Sequence, residues 1–436
     1  MEQSIYQQLN EHIESNGLHG TYQSAYRKHH SCETSTIRMV SDIQRMIGKG
    51  MCVVAVMLDN SAAFDTVDHR VLLHRLEHEY KIQGNALMLI KSYLTGRKFS
   101  IMINNEIGDP KDLLYGVPQG SILGPLFYLL YVKEIERIVE SFGLKVTLYA
   151  DDVQIYFGFE AKYTKKVEER LEKCIEAIMN WMKQNFLKLN PNKTVIKLFK
   201  PEKLMMTSEL LSFNLNIENA TVKPSKSVKI LGVTIGKKLD FKEFISEKVR
   251  TCNFHLRNLK NIKRCLSQDI RIKLVTTLIL SKLDYCNSLL AFLPGCHIDP
   301  LQKMMNKTVR FIFNLKYDEH ISPFLYKLHF LPIEFRIKFK LCLIAFKIII
   351  GVAPIYLRNL FELFKPSTTI NLRTGVGRDE RQFDISLAIR KSNGVHTKII
   401  LEWNRLPLEL RRIKKIEIFK PNLKAHFFRI AFAQFI

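Results

Sequence analysis

Two adjacent carboxylates, Asp151 and Asp152, lie between apolar runs that each read as a β-strand, and this pattern narrows the choice of fold more than any other in the chain. Lys145-Val146-Thr147-Leu148 leads in and Val153-Gln154-Ile155-Tyr156-Phe157 leads out, alternating with the period of two that a half-buried strand requires. Tyr149-Ala150-Asp151-Asp152 therefore falls at the turn of a hairpin. Two carboxylates at a tight turn repel each other and resist desolvation, so they persist most readily where a divalent cation neutralises them. A solvated Asp-Asp turn is the competing reading, and the tetrapeptide by itself weighs the two about equally.

A second acid in a matching context separates them. The run from Met51 to Leu58 is unbroken and apolar, reads as a buried central strand, and ends directly in Asp59. Asp59 can meet Asp151 only if the two strands lie side by side in one sheet. Three such acids can hold two Mg²⁺ ions about 3.5–4 Å apart, the arrangement that steadies the attacking and leaving oxygens of an in-line phosphoryl transfer. Between the acids lies Gly116-Val117-Pro118-Gln119-Gly120-Ser121, where glycines flanking a Pro-Gln let a backbone approach a ligand without Cβ interference. An ordinary Gly/Pro turn is the alternative. The apolar run that follows, Ile122 to Val132, reads as a helix packed on the sheet.

With these segments in place the chain resembles the reverse transcriptases of LINE-type (non-LTR) retrotransposons, particularly the Jockey and chicken-repeat branch. The resemblance rests on Gln23-Ser24-Ala25-Tyr26-Arg27 with His30-Ser31, on Leu58 to His69, on Gly116 to Pro125, and on Tyr149 to Asp152. It continues through Trp181, Asn185, Leu187-Lys188-Leu189-Asn190 with Lys193-Thr194, and Leu231-Gly232-Val233. Six motifs in family order over about half the chain leave little room for coincidence. The tail, with Trp403 to Pro407, then Phe419-Lys420 and Leu423-Lys424, also looks like the ends of such polymerases.

The resemblance implies an α+β right-hand polymerase: a palm of antiparallel sheet with packed helices, partial fingers, a helical thumb and a helical C-terminal region. The regions expected are partial fingers over 1–50, palm over 51–222, a thumb-like basic stretch over 223–300 and helices over 301–436. It implies an RNA-directed DNA polymerase, a nucleotidyltransferase working on an RNA template, a DNA primer and deoxyribonucleoside triphosphates. Asp59, Asp151 and Asp152 would be catalytic and would hold two Mg²⁺ ions, with Mn²⁺ as the alternative. Phe64 matches the family's aromatic gate beneath the sugar, Gln119 and Gly120 would border the template and incoming base, Lys193 would lie near the leaving phosphates, and Arg27 belongs to the nucleotide side. Relatives carry finger strands with a lysine and an Arg-Pro-Ile motif ahead of the Gln23 segment, and an endonuclease before that; this sequence is expected to lack both. Asn60 and Val132-Lys133-Glu134 also depart from the family pattern. A truncated inactive copy, or a host nucleic-acid-binding module on the same fold, are the competing functions.

Composition agrees. With 436 residues, 47% of them hydrophobic, the chain can bury a large core, and a net charge of +24 suits a polyanionic partner. Basic residues crowd Lys223 to Lys282, and Lys237, Lys238, Arg250, Arg257, Lys260, Lys263 and Arg264, together with Lys248, are expected to form a nucleic-acid face on one side of a helix pair. The eight cysteines show no zinc-ligand spacing and read as reduced thiols. His69, His74 and His78 read as one polar helix face. There is no secretory signal, and the apolar stretch from Leu341 to Leu357 is broken by Lys347, Gly351 and Pro354, so an intracellular protein, nuclear or cytoplasmic, without a membrane span is expected.

Overall fold

A computed structural model describes residues 2–61, 64–205, 208–218, 220–363, 381–383 and 393–435, with only the backbone of residues 60, 61 and 192. The helices include α1 (Glu2–Ser15), α2 (Cys32–Gly48), α3 (His69–His78), α4 (Gly84–Leu94), α5 (Leu123–Val132), α6 (Glu134–Ser141), α7 (Thr164–Gln184), α8 (Lys242–Asn261), α9 (Gly295–Phe313), α10 (Ile333–Ile349), α11 (Ile355–Arg358), α12 (Val395–Asn404) and α13 (Ile416–Ala431), with further short helices and turns between them. Four strands form the main sheet: β1 (Cys52–Leu58), β2 (Lys145–Tyr149), β3 (Asp152–Phe159) and β4 (Val195–Phe199). The residues fall into two compact units, 1–30 with 49–228, and 31–48 with 229–436.

In the first unit the sheet runs β4-β1-β3-β2, antiparallel throughout. β1 is central because it has no polar side chain to expose, and six of its seven residues are buried. Cys52, Val54, Val56 and Leu58, alternate residues on one face, join a core with Leu72 and Leu76 of α3, Phe127 and Leu130 of α5, and Leu171, Ile175 and Ile178 of α7. A short hairpin lies between Lys98 and Asp112. Arg75 is 8% exposed and ties three helices together: its guanidinium donates to Tyr131 O and, at 2.5 Å, to Asn185 Oδ1, between the rings of Tyr131 and Trp181.

The second unit is mainly helical. α10 packs on α9, α12 and α13, where Phe346 stacks on Phe419 at 4.1 Å and Trp403 lies 5.7 Å from Phe419. α10 ends at Ile349, ahead of Gly351 at φ 78° and Pro354, and among the described residues no helix is long and apolar enough to cross a membrane. Residues 1–50 do not stay together. α2 joins this second unit because its buried Ile37, Met39, Val40 and Ile43 lie on a helix packed against α11 and α12, while Glu33 accepts from Ser288 Oγ at 2.5 Å and pairs with Lys340 at 2.9 Å.

One buried histidine makes this unit sensitive to acid. Arg45 Nη2 donates to Leu360 O at 2.8 Å and lies 3.2 Å from His396 Nε2, so burial first and the guanidinium second push the imidazole down to about 4, against smaller opposing pulls from its hydrogen bond to Leu360 O at 2.8 Å and from Asp42. Between about pH 6.5 and 4 the unfolded chain binds a proton there that the folded chain refuses. Stability is therefore full above that window and falls as pH drops through it, by up to about 3 kcal/mol from this group. Urea midpoints measured from pH 7 to 4 should fall for the wild type and flatten for His396→Gln.

Candidate active site

Leu58 pairs with Val153 in the antiparallel register of β1 and β3. The next positions along, Asp59 after the end of β1 and Asp152 at the start of β3, therefore face each other across neighbouring strands, at a typical Cα separation of about 4.5–5.5 Å. Tyr149 pairs with Asp152, leaving Ala150 and Asp151 as the two-residue turn. The structure thus brings together the three acids that the sequence placed at strand ends. Burial, then Asp151, then Asp59 push the Asp152 carboxyl up to about 6.

Asp59 is one-third exposed, and its backbone carbonyl accepts from Asn190 N at 3.0 Å. Lys193 Nζ lies 3.1 Å from Asp59 Oδ2, the distance of an ion pair, but it approaches outside hydrogen-bonding geometry and leaves that buried oxygen without a hydrogen bond. Among the described residues no three His, Cys, Asp or Glu side chains are already gathered around a common point as ligands. The unsatisfied Oδ2 and the mutual repulsion of three carboxylates are nevertheless what a cation would relieve, so the donor set fits a divalent metal.

The Gly116–Gly120 loop is shaped by its own chain. Gly116, at φ 85°, would place a Cβ 2.9 Å from Asp65 O, so its missing side chain admits the Asp65 backbone where the sequence suggested a ligand. Gly116 N donates to Val67 O and Val117 N to Phe64 O, which lays the loop along the segment after Asp59. His69 Nε2 donates to Gly116 O at 2.7 Å, so this histidine is buried and does not share a polar face with His74 and His78, whose rings stack at 4.2 Å. Gln119 is exposed and donates to Asp65 Oδ1 at 3.1 Å; Gly120 is exposed with open space at its Cβ position. Phe64 is half-buried and stacks on Tyr128 at 4.6 Å.

Arg27 points elsewhere. Its guanidinium donates to Gly20 O at 2.8 Å and Gln23 O at 3.2 Å beside Glu14, and its side chain is only 12% exposed, so it braces its own segment. Gln23 is the residue whose place the sequence did not disclose: it is buried and its side chain meets the Ala150 peptide.

In the second unit Lys237, Lys238, Arg250, Arg257, Lys260 and Arg264 are exposed and Lys263 is half-buried. Arg250 and Arg257 border a groove of about 560 Å³ with Asn253, Phe254 and Pro300, and Phe254 is 59% exposed. Lys248 leaves the basic face: it is buried, its Nζ donates to Leu283 O and Tyr285 O, and desolvation pushes it down to about 8. A buried ammonium needs those carbonyls, whereas a phosphate-binding lysine needs solvent. All eight cysteines are free thiols.

The profile of the family described as reverse transcriptase (RNA-dependent DNA polymerase) matches residues 1–235. The chain belongs to the reverse transcriptase family. Its similarity extends to the probable RNA-directed DNA polymerase from transposon BS of Drosophila melanogaster, 24% identical over 59% of this chain and 28% of that protein. It extends also to the RNA-directed DNA polymerase from mobile element jockey of Drosophila funebris, 24% identical over 66% and 31%. The probable RNA-directed DNA polymerase from transposon X-element of Drosophila melanogaster is 24% identical over 69% and 32%. The chain thus spans about a third of the length of the curated relatives it matches, and its similarity is to the reverse transcriptases of LINE-type, non-LTR retrotransposons. Among solved structures it is similar to apo telomerase from Candida tropicalis, at 12% identity and a TM-score of 0.44, over 77% of this chain and 55% of that one. Reverse transcriptases generally use divalent metal ions.

Proposed function

We propose that this reverse transcriptase extends a DNA primer on an RNA template by nucleotidyl transfer to the primer 3′-hydroxyl. The observation that carries the reading is the β1–β3 register, which sets Asp59 opposite Asp152 with Asp151 at the adjoining turn. Asp59, Asp151 and Asp152 would hold two Mg²⁺ ions, or Mn²⁺ in their place. Bound there, the metal supplies activation of the hydroxyl and neutralisation of the triphosphate. Lys193, already beside Asp59, would exchange that partner for the leaving phosphates. Gln119 and Gly120, exposed on the loop, would border the template and the incoming base.

The lobes follow the same logic: the sheet unit as palm, with partial fingers at its amino-terminal end, and the basic helical turns from Lys237 to Arg264 as thumb. Arg250, Arg257 and Lys260 lie on exposed positions of α8 at near-helical spacing, which suits tracking a phosphate backbone. An RNA–DNA hybrid should therefore bind with affinity that falls steeply as salt rises. Replacing these three residues with Gln should lower the log–log salt slope by about 2–3, close to one for each phosphate left without its cationic side chain. Single-nucleotide extension on the same hybrid tests the reaction itself. Binding without extension would favour the module that only holds nucleic acid.

Phe64 would lie beneath the sugar and exclude a 2′-hydroxyl. Its stacking on Tyr128 fixes the ring, and its partial exposure leaves an edge for a nucleotide to meet. Phe64→Val should raise ribonucleotide use relative to deoxyribonucleotide use by about tenfold, about 1.4 kcal/mol of lost discrimination. An unchanged ratio would make Phe64 a packing residue alone.

A further inference from the structure

We propose that Gln23 is a positioning residue that clamps the Ala150–Asp151 turn and so fixes where the Asp151 carboxylate stands. Ala150 has φ 53°, in the left-handed region that glycine adopts freely and alanine does not, so the turn needs outside support to persist. That support comes from Gln23, which is 3% exposed. Its Oε1 accepts from Ala150 N at 3.0 Å, and its Nε2 donates toward Ala150 O at 3.4 Å, so one side-chain amide grips both polar groups of the strained residue. The same Oε1 accepts from Ser24 N and Ala25 N, each at 3.0 Å. Three backbone N–H groups converging on one atom require an oxygen there, which fixes the orientation of the amide.

The clamp is itself held. Ser24 N donates to Leu148 O at 2.9 Å and Leu148 N to Tyr22 O at 3.1 Å, so Gln23 forms a single parallel bridge to the edge of β2. Glu136 accepts from Thr21 N at 2.9 Å and Tyr22 N at 3.1 Å, and Arg27 donates to Gln23 O. Chemistry explains the choice of side chain. A carboxylate would accept from the three N–H groups but would bring a charge toward Asp151 and meet Ala150 O without a donor; an amide does neither.

The use made of the turn rests on the polymerase reading, but the clamp does not, so the test has two arms on the full 436-residue chain. Hydrogen exchange of a peptide covering residues 149–153 is measured without metal or nucleic acid, and kcat, KM and hybrid affinity are measured by primer extension. Gln23→Met should speed exchange at the turn about tenfold or more while β1 stays protected. It should lower kcat by about 10–100-fold with KM and hybrid affinity within about twofold, the pattern of a misplaced reacting group. Gln23→Glu keeps the acceptor but loses the donor to Ala150 O, so it should restore part of the turn's protection and show a smaller fall in kcat than Met. Wild-type exchange in Gln23→Met, loss of protection across β1 as well as the turn, or a Glu variant no better protected than Met would each overturn the clamp. A wild-type chain that does not extend primers would instead remove the polymerase reading and leave the exchange result to decide the clamp.

Discussion

Primer extension in Mg²⁺ should fall by on the order of 10³-fold or more when Asp151 is replaced by Asn, while affinity for an RNA–DNA hybrid stays within about threefold of wild type. The substitution keeps the shape of the turn and removes one charge from a group of three. Asp151 contributes to raising the Asp152 carboxyl, so its charge is felt by the neighbour with which it would share a cation. A metal held by the remaining acids would lose several kcal/mol of charge stabilisation at the transferred phosphoryl group. Hybrid binding, assigned to Lys and Arg of the second unit, draws on different residues and should be spared. Extension by the Asn variant at a rate near wild type would take Asp151 out of the active site.

The second large effect is on stability. Arg75→Met should destabilise the sheet-bearing unit by about 3 kcal/mol, because it leaves the Tyr131 carbonyl and Asn185 Oδ1 buried without their donor and takes a cation from between two aromatic rings. Glu79, 3.8 Å from Arg75 and half exposed, adds little to that figure. Urea unfolding followed by Trp181 fluorescence in a Trp403→Phe background should show the early transition. A loss below about 0.5 kcal/mol would mean that water replaces the guanidinium at no cost. Asn185 and Trp181 belong to the segment that marks the family resemblance, and their place in this knot gives that pattern a structural meaning.

The parts of the molecule that could be read from the sequence are those whose determinants are local. The Asp59 strand announces itself through a continuous apolar run, the Asp151 hairpin through alternation on both sides, and their adjacency follows from requiring the acids to meet. The helix over 123–132 falls within a residue of the apolar run from Ile122 to Val132 for the same reason. Partnerships between distant segments could not be read. Nothing near Lys248 reveals that Leu283 and Tyr285 will offer it carbonyls, nothing near His69 reveals the Gly116 carbonyl, and Arg27 reads as a free cation until its own backbone folds around it. Gln23 is the sharpest case. A strained Ala150 has no sequence signature, so neither does the amide that braces it.

The division of the chain between its two units bears on the order of synthesis. A ribosome releases α2 early, after residue 48, but the segments packed on it, Asn287–Leu290, α11 and α12, come more than 200 residues later. Until those segments emerge, the nascent chain carries an amphipathic helix whose apolar stripe has no native partner, held between two stretches that can already condense around the sheet. At roughly 5–20 residues per second this waiting period lasts on the order of 15–60 s, ample time for a chaperone to engage the stripe or for neighbouring chains to associate through it. The family match ends at residue 235, yet a protein stopped there would keep the orphan helix permanently. The end of the family match and the division between the compact units are therefore different places in this chain.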